Sequence, residues 1–502
     1  MLTFANFIFE LKAYKPIYVV IFLASILLVL SPLVYFAPKD GWNIGGRKFQ
    51  FLTQEEFFHP KKQQKTDITK LVADVDTASI EAEEPNDLLK HQNASDGKLG
   101  APSGGTVSAE SRTQLVLNEG ARNELIKLFK ELDKVAIDKS KIHLLHYGDS
   151  QIEGDRMTGY IRQRLQSQFG GNGPGLIPAT NVYTTNTFKQ TFSSNFMRYT
   201  CYGGAKLKNR RYGTLGSAAR FTQENYDTNA LKSSVLQEGW IEIEPHHMAY
   251  KRAKTYNNVK LFYTSCIKPC ALKVYQNGKM IHEDSLLTDG KYHSIGLSFA
   301  ATPGKLKYVF SSTTSPTICG FSLEGDYGVQ VDNIGMRGCS GNVFGSIDGT
   351  SISKMNAELN SKLVILQFGG NSVPYFKDSS AVRNYANQFQ NHMKIVKSAN
   401  PGAMIVVIGP SDMSYLTKGI YETYPFLPYC VEQMKKVAGK ENAAYWDLFS
   451  AMGGKNSMPS WVDQGLAGID YIHFTHRGAS IASQLFYEAF ISEYAKWKSE
   501  GN

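Results

Sequence analysis

A serine, an imidazole and a carboxylate, the three groups that together perform acyl transfer, occur in this chain in settings that favour their use. Gly148-Asp149-Ser150 follows the apolar run Ile142-His143-Leu144-Leu145-His146-Tyr147, which has the length of a buried strand, and precedes helical spacing over residues 157–169. Ser150 is therefore expected at a strand end beside a helix N-terminus, where an open α/β sheet presents ligands and developing negative charge is favoured. That placement suits a nucleophile; the plainer alternative is an N-cap serine. Near the other end, Asp470-Tyr471-Ile472-His473 puts a carboxylate three residues before an imidazole. Such a carboxylate can hold one ring nitrogen and fix the tautomer while the other nitrogen takes a serine proton.

Two further segments supply groups for a developing oxyanion. The stretch Val331-Asp332-Asn333-Ile334-Gly335-Met336-Arg337-Gly338-Cys339-Ser340-Gly341 is a glycine-rich turn whose backbone N–H groups can point at one, and Gly369-Gly370-Asn371 sets an amide donor just past an apolar strand. Ser340 and Ser411, the latter in Gly409-Pro410-Ser411-Asp412, are rival nucleophiles, although a loop serine beside a proline is usually structural. The Gly-x-Ser-x-Gly elbow is absent, so the α/β-hydrolase version of serine catalysis is not expected. His473 and His476 lack the glutamate of a His-Glu-x-x-His motif, and neither a metal nor any other cofactor is expected. His246-His247 read as surface residues, and His143 and His146 as strand-packing residues without acid partners.

The elements that must position these groups alternate in type. Helical spacing at residues 121–137, 381–398 and 481–497 alternates with buried-strand runs at 142–147, 363–368 and 404–408, the pattern of a parallel sheet with helices on both faces. Between residues 180 and 330 the texture changes to short β-branched and aromatic runs such as Trp240-Ile241-Glu242-Ile243, with Asn277-Gly278 marking a two-residue hairpin. An all-β sandwich inserted into an α/β domain is the expected architecture. Trp240, Tyr263 and Tyr275 could stack on sugar rings, but strand aromatics are mostly core, and no sugar-binding residue is assigned. Cys201, Cys266, Cys270 and Cys319 fall in the insert, Cys339 and Cys430 outside it, and their pairing stays open.

The chain has 502 residues, 42% hydrophobic and 20% charged, which excludes a disordered, collagenous or coiled-coil protein. Its net charge of +9 is scattered, so no nucleic-acid partner is expected. Residues 17–37 carry no charge and as a helix would reach about 31 Å, the thickness of a bilayer core. The run is longer than a signal-peptide core, and an uncleaved transmembrane signal anchor in contact with lipid is expected. Lys12 and Lys15 before it are balanced by Lys39, Arg47 and Lys48 after it, so orientation does not follow from charge. The polar stretch at 61–111 reads as a disordered tether.

Taken in order, Gly148-Asp149-Ser150, Asn333-x-Gly335-x-x-Gly338, Gly369-Gly370-Asn371 and Asp470-x-x-His473 resemble the four sequence blocks of the SGNH (GDSL-type) hydrolases, over residues 115–178 and 330–498. The resemblance implies a three-layer α/β/α (flavodoxin-like) fold around a five-stranded parallel sheet. It also implies Ser150 as nucleophile, His473 as general base, Asp470 as its orienting carboxylate, and an oxyanion hole of the Ser150 and Gly338 N–H groups with the Asn371 amide. Gln151 stands where the family motif has leucine, and Ser372 where many members have aspartate, so a lipase-like substrate does not follow. A β module at this point resembles the family's peptidoglycan O-acetylesterases, which carry a carbohydrate-binding-module-like jelly roll there.

The expected organisation is a short segment 1–16, an anchor 17–37, a membrane-proximal stretch and tether 38–112, a catalytic domain from 113–178 and 330–500, and the insert 179–329. The expected protein is a membrane-anchored, outward-facing esterase that removes O-acetyl groups from a cell-envelope polysaccharide, with O-acetylated peptidoglycan as the expected partner. The alternatives are acetyl transfer to a glycan hydroxyl and a non-catalytic glycan-binding protein.

Overall fold

A computed structural model describes residues 16–36, 42–44, 47–49, 62–73, 114–223 and 235–501. The chain divides into two units, residues 1–64 with 416–421, and residues 65–415 with 422–502. In the first, the helix Pro16–Phe36 carries no acidic or basic residue in its end turns, and its apolar side chains, Ile17, Phe22 and Leu27 among them, are exposed. Its described side chains run over residues 16–29 and Pro32, and among the described residues no helix is long and apolar enough to cross a membrane. The span expected over 17–37 is thus not seen as such. All of the expected segment 1–16 but Pro16, and most of the stretch 38–112, lie outside the described residues.

The second unit holds the α/β domain. Its strands are β1 (Lys141–Gly148), β2 (Gly328–Gly335), β3 (Ser361–Gln367), β4 (Met404–Ile408) and β5 (Ala444–Trp446). Its long helices are α1 (Glu119–Asp138), α2 (Thr158–Phe169), α3 (Gly349–Glu358), α4 (Ser379–Ala399), α5 (Leu427–Lys440) and α6 (His476–Ser499). The sheet runs β2-β1-β3-β4-β5 with every neighbour parallel. Strand side chains alternate between faces, and both faces are covered, which is why the strands read as continuous apolar runs. Leu144, Val331, Ile365 and Val406 pack with α1, α2 and α6, whereas Leu145, Ile334, Leu366 and Val407 pack with α3, α4 and α5. This is the expected α/β/α layering.

Part of the stretch expected to be a tether is packed instead. Ile68, in residues 65–73, is buried in the α1/α2/α6 layer, and the Ser460 hydroxyl donates to the Thr66 carbonyl at 2.6 Å. A single apolar residue in a polar run gives no periodicity, so this contact has no sequence signature.

Residues 175–324 form two antiparallel sheets. One has the order 279–285, 270–276, 306–312, 237–245, 188–192. The other has 293–298, 258–264, 317–324, 217–220, 197–200, with 175–177 also pairing with 317–324. Ile241, Leu272 and Phe310 from the first sheet meet Leu261, Ile318 and Phe321 from the second in a common core. Phe262, Cys319 and Tyr199, on the other face of the second sheet, join the core of the α/β domain. Asn277 and Gly278 both have positive φ, 50° and 87°, and form the expected tight hairpin. Tyr263 is buried, and all six cysteines are buried free thiols, including Cys266 and Cys270.

Candidate active site

The site lies at the carboxyl ends of β1 and β3. The chain leaves β1 at Gly148, passes Asp149 and Ser150, and makes a 3-10 turn, Glu153–Asp155, before α2 begins at Thr158. Ser150 is therefore not at the N-terminus of α2, contrary to expectation. Gly154, at φ 69°, breaks the helical path and displaces the helix along the chain. The turn is held by Asn333 on β2, whose amide donates to the Ile152 carbonyl at 2.9 Å and to the Thr158 hydroxyl at 2.8 Å.

Ser150 Oγ lies 2.8 Å from His473 Nε2, and His473 Nδ1 lies 2.7 Å from Asp470 Oδ2. Asp470 Oδ1 also accepts the backbone N–H groups of Ile472 and His473, both at 3.0 Å. Partial burial works against its charge, but the bond from the His473 ring and these two N–H groups outweigh it and hold the carboxyl below its ordinary range. An ionised Asp470 requires the proton of His473 on Nδ1, which leaves Nε2 free to accept from the serine hydroxyl. Among the described residues no other serine hydroxyl meets an imidazole: Ser411 is buried and accepts from the Gln151 amide at 3.4 Å, and the Ser340 carbonyl accepts from Tyr385.

The three expected oxyanion donors stand in different states. Gly338, at φ 74°, sits in a left-handed turn that holds no Cβ comfortably, and the N–H groups of Gly338 and Ser150 have no acceptor among the described residues. The Asn371 amide donates to Asp149 Oδ2 at 3.0 Å and to the Cys339 carbonyl at 3.1 Å. Both partners are acceptors, which fixes the amide orientation, and the amide reaches an oxyanion only by sharing or releasing one of these bonds. Burial pushes the Asp149 carboxyl up to about 6, against the opposing pull of the Gln151 N–H, His473 and Asn371.

Two clefts meet at Ser150 and His473. One, of about 170 Å³, is lined by Asn371, Pro374, Tyr375, Ser411 and Met413. The other, of about 580 Å³, lies between the insert and the α/β domain, with Thr184–Thr187 and Tyr250 on one wall and Arg156, Arg337 and His476 on the other. Thr187 ties the insert wall to the serine turn through a 2.5 Å bond to Asp155 Oδ2, and Asp155 is itself paired with the buried Arg162 at 2.5 and 3.0 Å.

His146 behaves as a packing residue. It bridges Thr158 and Gln367 at 2.9 and 3.0 Å, and burial pushes its pKa down to about 4. His143 does not: its ring lies 2.7 Å from Asp332 Oδ2 and 3.3 Å from Glu324 Oε1, acid partners that no local spacing reveals. The sequence alone assigns no role to three residues of the site, Gln151, Arg156 and Asn333. The only signal for the first was its departure from the leucine of the motif.

Residues 295–481 match the model of the GDSL-like Lipase/Acylhydrolase family. The chain is similar to a solved peptidoglycan O-acetylesterase, with TM-score 0.60 at 19% identity over 76% of this chain and 99% of that one. The α/β domain has the fold of an SGNH (GDSL-type) hydrolase, and residues 295–481 are similar to that family. A carboxylic ester hydrolase is the enzyme class this domain supports. A family two carbohydrate esterase from Clostridium thermocellum, solved with cellohexaose, is also similar, at 12% identity over 52% of this chain and 92% of that one, with a TM-score of 0.22. So is a solved protein from Bacillus subtilis, at 13% identity over 64% and 97%, with a TM-score of 0.28. No curated protein sequence matches the chain.

Proposed function

We propose that this chain is a membrane-anchored serine esterase that removes O-acetyl groups from a cell-envelope polysaccharide, with peptidoglycan as its substrate. The observation that carries the reading is the unbroken contact Ser150–His473–Asp470, 2.8 and 2.7 Å, opening on a cleft whose other wall is the β insert. Ser150 Oγ attacks the acetyl carbonyl while His473 Nε2 takes its proton. The oxyanion is held by the N–H groups of Ser150 and Gly338 and by the Asn371 amide. Collapse expels the sugar oxygen, which takes the proton from His473, and leaves acetyl on Ser150. Water then attacks this ester, His473 again accepts a proton, and acetate leaves as Ser150 recovers it.

The larger cleft, of about 580 Å³, suits the sugar side, since a volume of that order falls in the usual range for small-ligand sites. The solved peptidoglycan O-acetylesterase of the same fold supports the choice of polymer. The uncharged run 17–37, not all of whose side chains are among the described residues, is proposed as the anchor that keeps the domain on the outer side of the membrane. Its 21 residues would span about 31 Å, and its Ser25 hydroxyl is satisfied within the helix by the Ile21 carbonyl at 2.8 Å. Retention in the bilayer after alkaline carbonate extraction would support this, and release would end it.

The deciding experiment measures acetate released by the purified full-length chain from O-acetylated peptidoglycan, an O-acetylated plant polysaccharide and a long-chain ester, with Ser150→Ala as the blank. Peptidoglycan is expected to be the best substrate and the variant inactive. A preference for the long-chain ester, or release by Ser150→Ala at the wild-type rate, overturns the reading.

A further inference from the structure

We propose that Gln151 is a positioning residue that fixes the alignment of His473 with Ser150 by clamping the backbone on both sides of the histidine; this rests on the reading of Ser150 and His473 as nucleophile and base. The Gln151 side chain is buried. Its Nε2 donates to the Ile472 carbonyl at 2.7 Å, and its Oε1 accepts the Phe474 N–H at 3.3 Å. One amide thus ties the residues before and after His473 to the residue that follows the nucleophile, across more than three hundred positions of chain.

The histidine loop needs such a tie. Ile469 and Asp470 are exposed, and Tyr471 sits at φ 57°, a left-handed conformation that a tyrosine holds only when its surroundings impose it. The other backbone ties of the loop, Ser414 N–H to the Tyr471 carbonyl at 3.0 Å and Gly468 N–H to the His473 carbonyl at 2.8 Å, anchor it to segments that do not carry the serine. Arg156 works beside Gln151, with its guanidinium on the Ser150 carbonyl and, at 3.2 Å, on the Phe474 carbonyl.

The residue type is dictated by this double contact. A side chain of this length that donates to a carbonyl through one terminal atom and accepts from an N–H through the other is an amide, because an ionised glutamate only accepts and leucine does neither. Asparagine is one methylene shorter. Glutamine in place of the motif's leucine is therefore a working part of this site, and its loss acts on proton transfer rather than on substrate binding. A displacement of about 1 Å at the reacting groups lowers rates by about a hundredfold.

The test compares Gln151→Met, which keeps the volume, and Gln151→Glu, which keeps the acceptor but not the donor, with the wild-type full-length chain on nitrophenyl acetate. Each variant is expected to lose at least tenfold in kcat, with KM within about twofold and the melting temperature within a few degrees. The discriminating arm is Gln151→Met in a His473→Ala background, where it should cost nothing further because the group it positions is gone. A further loss of tenfold in that background, or wild-type kcat in both single variants, overturns the proposal. If His473→Ala alone retains the full rate, the reading of the site itself has failed, and the clamp fails with it.

Discussion

Replacing His143 by glutamine should remove a pH dependence of stability that lies entirely on the alkaline side. His143 projects from β1 with only 2% of its surface exposed. Burial works against its charge, but Asp332 on β2 and Glu324 at the end of the insert's strand Thr317–Glu324 outweigh it and raise its pKa from 6.5 to about 9. Lys141 completes the cluster, 3.0 Å from Glu324 Oε2, so the four groups are neutral together only while His143 is charged. A raised histidine contributes stability that is fully present below the unfolded value and is lost as pH climbs through the folded one. At about 1.4 kcal/mol per unit, the rise from 6.5 to about 9 corresponds to a contribution on the order of 3 kcal/mol. Urea unfolding followed by tryptophan fluorescence at intervals between pH 6 and 10 should show the wild type losing roughly that amount across the window. His143→Gln should be less stable at pH 6 and nearly flat thereafter. A wild-type curve that is flat from pH 6.5 to 9, or a variant with the wild-type slope, would refute the assignment of this charge.

Three other outcomes follow from the site and the core. Asn371→Ala should lower kcat about a hundredfold or more, the cost of about 3–4 kcal/mol for one oxyanion donor. By unpairing Asp149 Oδ2 it should also raise the pKa of that carboxyl above about 6, as read by NMR titration of the side chain. Asp470→Asn should cost on the order of ten thousandfold in kcat: its carbonyl takes the Ile472 and His473 N–H groups, its amide faces Nδ1, and the ring proton is driven to Nε2, where it blocks acceptance from Ser150. An unchanged kcat there would discard Asp470 as the orienting group. Ile68→Ala should destabilise the folded unit by about 2–5 kcal/mol in urea unfolding if residues 65–73 are core, whereas a change below about 0.5 kcal/mol would return them to the tether.

What could be read from the sequence was local. A carboxylate three residues before an imidazole meets it across a single turn, and a serine after a buried parallel strand stands at the carboxyl end of the sheet wherever that strand lies, so Ser150, Asp470 and His473 were visible as types and spacings. The alternating apolar runs gave the layered sheet for the same reason, because strand and helix periods are properties of short windows. Residues whose work depends on distant partners were not visible. Asn333 meets Ile152 at a separation of 181 positions and His143 meets Asp332 at 189, and nothing near either residue announces the pairing. The Ser150 turn lay between these cases: its strand was legible, but the 3-10 turn that moves α2 away from the serine hangs on Gly154 and on side chains arriving from β2 and the insert.

The position of the insert in the sheet explains how so long a segment can be accommodated without disturbing this geometry. It leaves the chain after α2 and returns into β2, which is an edge strand, so neither crossing has to pass over the sheet. Its ends are drawn together by pairing of Ile177 with Phe321, and its first strand is fastened to the sheet where the Leu176 N–H donates to Asp332 Oδ1 at 2.7 Å. Asp332 is also the partner of His143, so the group that docks the insert loses its charged partner when His143 is deprotonated. On the proposed reading, the insert supplies one wall of the sugar cleft through residues 184–187 while Ser150, His473 and Asp470 remain on the α/β domain. Changes in that wall then alter which polymer fits without touching the groups that transfer the acetyl, whereas loss of the His143–Asp332 contact would loosen the wall and leave hydrolysis of a small soluble ester largely intact.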